Sequence, residues 1–252
     1  MKRILLLLLL TALLPLCTTA EAPVTFADDI VRSYMYPEGT DEETARYVYR
    51  CTYPQLAGES EVAGLINNTY QYLADDALGF ECPMNATTVP EDGPQMLVTV
   101  TYEITHLSSS HLAVLIRKEV RWGEDVSHIV SGHVFPLTGP EAGEATSLPY
   151  LLGILKPGET DEWYLDRQIA KADACARELV WELLMADKAS GKYPIWDDLT
   201  YEEIEWSFYP EEDFCLDAEG NVLFLLQEGS FAPAEYGPLQ YTISLDTLLD
   251  EI

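Results

Sequence analysis

Apolar and polar side chains alternate from Tyr47 to Tyr53: Tyr47, Tyr49, Cys51 and Tyr53 stand against Val48, Arg50 and Thr52. A period of two is that of a strand with two different faces, and Pro54 ends it. From Glu59 to Leu78 the period changes. Val62, Leu65, Ile66, Tyr70, Leu73 and Ala77 recur at three- and four-residue steps and predict a helix that opens at Ser60 or Glu59 and ends near Gly79. Phe80, Cys82 and Pro83 then tie the chain down. Met96, Val98, Val100, Tyr102 and Ile104 restore the alternation, as do Leu112, Val114 and Ile116 after Ser108-Ser109-Ser110. The segment His128 to Phe135 follows Gly123-Glu124-Asp125, and short polar turns between such runs predict a three-stranded antiparallel meander. Ahead of all these lie two short extended pieces, Val24 to Phe26 and Ile30 to Tyr36.

Residues 136–158 are irregular, with one helical turn expected at Pro149 to Leu152. Thr160 is then placed to cap a long helix, with Asp161 and Glu162 in its first turn. Leu165, Ile169, Ala172, Ala176, Val180 and Leu183 or Leu184 form its stripe, Gly191 and Pro194 lie beyond its end near Ala189, and Trp196, Trp206, Phe208 and Tyr209 then sit in an acidic connector. The run Val222 to Leu226 is five consecutive apolar residues, which need cover on both faces of a sheet. With Phe214 to Leu216 before the turn Asp217 to Asn221, it reads as a hairpin. A further strand is expected at Tyr241 to Ile243, and one helical turn at Asp246 to Ile252. The pattern as a whole predicts an α+β fold: an antiparallel sheet with two main helices packed against it. Two lobes, 21–140 and 141–252, are expected to pack tightly and share a sheet.

The first residues change the setting. Lys2 and Arg3 precede an almost wholly apolar run from Ile4 to Leu14, and small residues follow at Thr18 to Ala22. This is the pattern of an export signal over 1–20. It places the chain outside the cytoplasm, secreted or on a bacterial cell surface, without a transmembrane anchor in the mature part. Cys17 raises lipidation, against which the large Leu16 before it argues. The whole chain has 43 acidic and 14 basic residues. Without Lys2 and Arg3, 12 basic residues face the same 43 acids, a net charge of −31. Such charge repels nucleic acid and anionic membranes and attracts cationic partners.

Four cysteines follow the signal: Cys51, Cys82, Cys175 and Cys215. An even count in an oxidising compartment predicts two disulfides, with three connectivities open. Pairing nearest neighbours joins Cys51 to Cys82 and Cys175 to Cys215. Metal chemistry has little to stand on. His128 and His133, five apart on one strand, face different sides, and a metal needs convergent ligands. The acids around the turn at Asp217 lack the order of a calcium loop. No nucleophile elbow, phosphate loop or dinucleotide loop is present, so neither a metal nor a cofactor is expected. Asn67 and Asn85 match the glycan acceptor pattern, the former inside a predicted helix. Trp163, Trp196 and Trp206 stand beside acids and are candidates to flank a groove for a cationic protein or a sugar polymer. The pairs Asp197-Asp198 and Glu202-Glu203 are candidate glycosidase acids, which need a set separation across a cleft.

Several stretches resemble the DUF3298/DUF4163 families, the extracytoplasmic part of RsiV-like proteins. Tyr53-Pro54-Gln55-Leu56 followed by Leu65-Ile66-Asn67-Asn68 resembles the amino-terminal DUF4163 part. Asp217 and Gly220, Val222 to Leu226, Ala232-Pro233 with Gly237, and Ile243, Leu245 and Leu248 resemble DUF3298. His128 and Phe135-Pro136-Leu137-Thr138-Gly139 resemble the central stretch. The sequence departs from the family at Val126, Ser127, Val134, Pro136, Gly229 and Ser230. The resemblance implies a bacterial extracytoplasmic module that carries no catalytic residues of its own. Known settings of the family include lysozyme recognition and peptidoglycan deacetylases. His128, Trp163, Trp196, Trp206 and Tyr236 are the candidate ligand-binding residues. The leading expectation is non-catalytic binding of a cationic protein or of peptidoglycan at the cell envelope. The alternatives are a cell-wall glycan hydrolase and a structural envelope protein without a ligand.

Overall fold

The computed structural model describes residues 24–252, so the export signal and Cys17 lie outside the described residues. The fold is α+β, as the periodicities predict. Strands β1 (Ile30–Tyr36) and β2 (Tyr47–Tyr53) are followed by helix α1 (Glu61–Asp76). The helix passes through a π turn (Ala77–Glu81) into α2 (Cys82–Ala86). The meander is β3 (Met96–Leu107), β4 (His111–Trp122) and β5 (Asp125–Pro136). Next come α3 (Leu148–Leu151), α4 (Glu162–Ser190) and α5 (Tyr201–Ser207). The chain closes with β6 (Phe214–Leu216), β7 (Val222–Leu226), β8 (Leu239–Ile243) and α6 (Leu245–Glu251).

The five-stranded sheet has the order β1-β2-β3-β4-β5, and β6-β7-β8 form a second sheet of three. Two expectations are corrected here. The lobes share no sheet, because β6 to β8 pair only among themselves. Nor is the larger sheet wholly antiparallel: β2 and β3 run parallel, Tyr47 opposite Met96. That parallel pairing follows from the long connection through α1, which returns the chain to the same end of the sheet. The meander pairs as expected, with a register shift between Ile104 and His106.

Burial on both faces explains why β4 is so apolar. Leu112, Val114 and Ile116 join the core under α1, with Tyr47, Tyr49, Ile66, Tyr70 and Phe135. Ala113 and Leu115 point the other way and join Val130, Val134, the small sheet and Ala176, Val180 and Leu184 of α4. The layers are therefore α1, large sheet, small sheet and α4. The two sheets meet at Gly132 of β5. A Cβ there would lie 1.8 Å from the Phe214 carbonyl oxygen, a distance no side chain tolerates.

Helix ends explain the remaining differences. Ser60 caps α1 as predicted, accepting from Ala63 N. The helix does not stop at Gly79, however. Pro83 cannot donate to the carbonyl of Gly79 and would clash with it in a regular α-helix. The wider π turn precedes this point, and α2 resumes with Pro83 in its first turn. For α4 the cap is Asp161 and not Thr160: its carboxylate accepts from Tyr164 N. Gly191, at φ 72°, closes that helix in the left-handed conformation. Residues 201–207, read from sequence as a connector, form α5. Thr200 and Glu203 make a capping box at its start.

The disulfide expectation is also corrected, since all four described cysteines are free thiols. Cys51 and Cys82 are buried in the core under α1 without bonding to each other. Burial raises the Cys82 pKa to about 11. Cys215 turns from β6 toward the large sheet, with its Sγ 3.1 Å from Thr105 Oγ1. Cys175 on α4 instead lies against α6, its thiol 3.9 Å from the Leu248 carbonyl. These two sulfurs thus belong to different sides of the small sheet.

Candidate functional site on the outer face of α4 and α5

The exposed aromatic residues do not form the single groove expected of Trp163, Trp196 and Trp206. Helix α4 has 29 residues, or about 43 Å at about 1.5 Å per residue. Trp163 stands in its first turn and Trp196 lies beyond its last, so they mark opposite ends. Trp196 belongs instead to a cluster at the C-terminal end. Its carbonyl accepts from Lys188 Nζ at 2.6 Å, and its N–H donates to Phe231. Tyr236 packs edge-on against Tyr193 nearby, with 6.3 Å between ring centroids. Lys192 lies over the rings of Tyr193 and Tyr241 and pairs with Asp187.

Trp163 and Trp206 do share a side of the molecule. Residues 163, 167, 170, 174, 177 and 181 follow one another at alternating four- and three-residue steps, so they form a single row along α4. The lower part of that row carries α5: Trp181 meets Tyr201 edge-on, and Arg177 Nε donates to the Phe208 carbonyl at 3.2 Å. Above this point Ala174, Ala170 and Arg167 are exposed, a bare ledge that leads to Trp163. Trp206 lies in the last turn of α5, the helix packed on the lower part of that row. Trp163 is 68% and Trp206 72% exposed. Acids surround both: Glu162 and Asp166 on α4, and Glu202, Glu203 and Glu205 on α5. The Arg167 guanidinium already lies 5.5 Å from the centroid of the Trp163 ring, which illustrates the pull of that ring face on cations.

Beneath the ledge is a buried carboxyl pair that sequence reasoning missed. Asp173 of α4 is buried, with Oδ2 3.5 Å from Arg177. Asp173 Oδ1 and Glu211 Oε2 find no hydrogen-bond partner. Two acceptors facing each other need a proton between them. Burial, reinforced by the Glu211 carboxyl, pushes the Asp173 pKa up to about 8, while Arg177 opposes the shift. A protonated Asp173 ties α4 to the segment between α5 and β6. The only sequence signal was an Asp within an otherwise apolar helical stripe.

Several of the other predicted residues have local partners. Glu203 spends its carboxylate on the capping box, accepting from Thr200 N at 2.7 Å and Thr200 Oγ1 at 3.1 Å. Asp197 lies 3.8 Å from Lys188. His128 is held by Glu228, whose Oε2 accepts from the backbone N–H at 3.0 Å and sits 2.6 Å from the ring Nδ1. Next to it the Gln227 amide bonds both the N–H and the carbonyl of Val130. Together they cover the outer edge of β5, which would otherwise offer unpaired backbone to another strand. His128 therefore serves the edge of the sheet and lies apart from the tryptophans. His133 points to the opposite face, toward Tyr70. Asn67 is engaged as well, its amide bonding both the N–H and the carbonyl of Leu56. Among the described residues no group of three metal-ligating side chains converges, and no helix is long and apolar enough to cross a membrane.

The chain is similar to two solved structures. One is a member of the DUF3298 family from Bacteroides fragilis, 13% identical, with a TM-score of 0.49 over 89% of this chain and 92% of that one. The other is a DUF3298 family protein from Pseudomonas aeruginosa, 12% identical, with a TM-score of 0.49 over 91% of this chain and 94% of that one. Both carry the family name that the motifs of this sequence resemble. No family model matches the chain, and no curated protein does.

Proposed function

We propose that this protein is a non-catalytic binding module of the bacterial cell envelope, and that the ledge formed by α4 and α5 takes a cationic protein. The observation that carries this reading is the exposure of Trp163 and Trp206 among acids. Large aromatic rings left in water are the anchors that protein interfaces favour. Acids around them select a basic partner and speed its approach. The net charge of the chain acts in the same direction, and the export pattern at its start supplies the setting. A lysozyme-type muramidase is a basic protein of the kind this surface would attract.

Calorimetric titration with a basic lysozyme, at low and at moderate salt, tests the proposal. Saturable binding that survives moderate salt is expected, weakened about tenfold or more when Trp163 and Trp206 are both replaced by Ala. Generic attraction between opposite charges would instead vanish with salt. That outcome, or equal binding by the double variant, overturns the assignment to this ledge.

A further inference from the structure

A second site lies on the far side of the large sheet, beneath the π turn that follows α1. A cavity of about 200 Å³ opens there. Tyr49 and Tyr53 of β2 form one wall, and Ile129, Ser131 and His133 of β5 form the other. Asp76, Glu81 and Lys118 also line it, and Lys118 and Glu81 form an ion pair. The hollow has a local cause. Ala77 and Ser131 are small residues at positions where the neighbouring core places tyrosines and phenylalanines. The π turn also redirects the helix side chains just where they would otherwise close over the sheet, and such turns recur at functional sites.

The polar groups of the two strand walls are neutral, and the charges of the lining, Asp76, Glu81 and Lys118, lie outside β2 and β5. Burial lowers the His133 pKa to about 4, so the imidazole carries no charge at neutral pH. Its Nδ1 lies 3.3 Å from the Tyr70 hydroxyl, and its ring packs against Tyr70 and Phe135. A Tyr70 hydroxyl that donates to Nδ1 leaves the proton on Nε2, which has no hydrogen-bond partner among the described residues. Burial also raises the Tyr53 pKa to about 12 and pushes Tyr49 up further, so both hydroxyls stay protonated as donors and acceptors. Ser131 adds another hydroxyl. Aliphatic surface from Leu73, Val100 and Ile116 fills the space between them.

We infer that this cavity binds one neutral sugar ring. Its size argues for a single ring: it holds about six or seven waters at about 30 Å³ each, and is smaller than the ~300–1,000 Å³ of sites for drug-sized ligands. Its chemistry argues for a hydroxylated one. Aromatic and aliphatic walls match the apolar faces of a pyranose, while tyrosyl, seryl and imidazole groups match its hydroxyls as donors or acceptors. An anion would meet Asp76 and Glu81. A cation would be repelled by Lys118 and would find Glu81 already paired, leaving Asp76 alone to hold it. This inference does not rest on the proposed protein-binding ledge, which lies on the opposite side of the molecule.

The test is titration of the protein with glucose, N-acetylglucosamine and glucosamine, followed by the His133 ring proton resonances and by calorimetry. Saturable binding of at least one of the neutral sugars is expected, with movement of the His133 signals. Ser131→Trp and Ile129→Trp each fill the hollow from exposed positions of β5, and each should weaken binding about tenfold or more. Replacing Trp163 and Trp206 by Ala should leave it unchanged. Failure of all three sugars to saturate overturns the inference, as does full binding by both filled variants. Preference for glucosamine over N-acetylglucosamine would overturn the neutral-ligand assignment.

Discussion

The two faces of the large sheet are packed with different chemistry. Under α1 the core is built on tyrosines: Tyr47, Tyr49, Tyr53 and Tyr70 are buried beside His133, Cys51 and Cys82. Tyr53 and Tyr70 stack with 5.5 Å between centroids, and the Tyr47 hydroxyl is buried without a partner. Under α4 the core is Phe, Leu, Ile and Val, with Phe208 set edge-on against Phe224 at 5.6 Å. An aliphatic and phenylalanine core closes tightly because it has few polar atoms to satisfy, here the Tyr241 hydroxyl, which donates to Asp187, and the Asp173 carboxyl beside Glu211. A tyrosine core must leave room for its hydroxyls, and beside this one lies the hollow of about 200 Å³. One side of the sheet is thus close-packed to the point where backbone touches backbone, and the other is open enough to admit a ligand.

Alanine substitutions at two adjacent residues of β5, one on each face, should expose that difference most sharply. Gly132→Ala places a Cβ on the Phe214 carbonyl, and the two sheets can only separate. A loss of about 4 kcal/mol or more is expected, the range reserved for overpacking that backbone cannot relieve. Ser131→Ala, one residue away on the hollow side, should stay within about 0.5 kcal/mol of the parent. Urea unfolding of both variants measures the contrast. A Gly132→Ala protein as stable as its neighbour variant would mean that the sheets are not in contact at β5.

The buried titratable groups sharpen the comparison, because the two sides oppose each other in pH. His133 has a folded pKa near 4 against an ordinary 6.5, so the unfolded chain binds the extra proton. Its side of the molecule loses stability as pH falls from about 6.5 to 4. Asp173 has a folded pKa near 8 against 3.8, so here the folded chain holds the extra proton. That side loses stability as pH rises from about 4 to 8. Unfolding midpoints across this range should show His133→Leu with a steeper fall between about pH 4 and 6.5, where the opposing histidine slope has gone, and with the parent's fall above 6.5. Asp173→Asn should lose the alkaline fall and keep the acid-side one. Parallel curves for the two variants would show that neither group titrates as its burial requires.

Much of this organisation was legible in the chain. Tyr47 to Tyr53 and the three meander strands follow from alternation alone, because each buries at least one face. Ser60 and Gly191 announced helix ends through their own chemistry. What escaped had competing local signals. Residues 201–207 carry Glu202, Glu203, Glu205 and Trp206, which read as an acidic connector, yet only Ile204 needs burial to hold so short a helix in place. The parallel pairing of β2 and β3 escaped because alternation does not record strand direction. Cysteine parity misled for a similar reason: it counts sulfurs and does not record where each one faces. Cys175 and Cys215 lie on different sides of the small sheet, and Cys51 and Cys82 share a core without bonding. Of the candidate site, the exposed tryptophans could be chosen by type and acidic surroundings. Only the three-dimensional placement of α5 against Arg177 and Trp181 separated Trp196 from the other two. The tyrosine-walled cavity had no sequence signal beyond the buried-strand period of its own walls.

The smallest expected effect concerns α1, the cover of the looser side. Gly64 lies within this helix at an exposed position, and a Cβ added there meets nothing within 4 Å. Its N–H already donates to the Ser60 carbonyl at 3.0 Å, so an alanine keeps the first-turn hydrogen bond. The glycine costs the helix conformational entropy without serving a turn or a close approach. Gly64→Ala should therefore raise stability by about 0.5–1 kcal/mol, through a less free unfolded chain and a stiffer helix. The same chemical change, one methyl on one glycine, then carries opposite signs at Gly132 and Gly64. The sign depends only on whether backbone from the next layer occupies the space. A stiffer α1 also bears on the cavity beneath its end. If sugar binding is unchanged in Gly64→Ala, the hollow is set by the π turn and by Ser131. If it weakens, the hollow depends on movement of α1 itself.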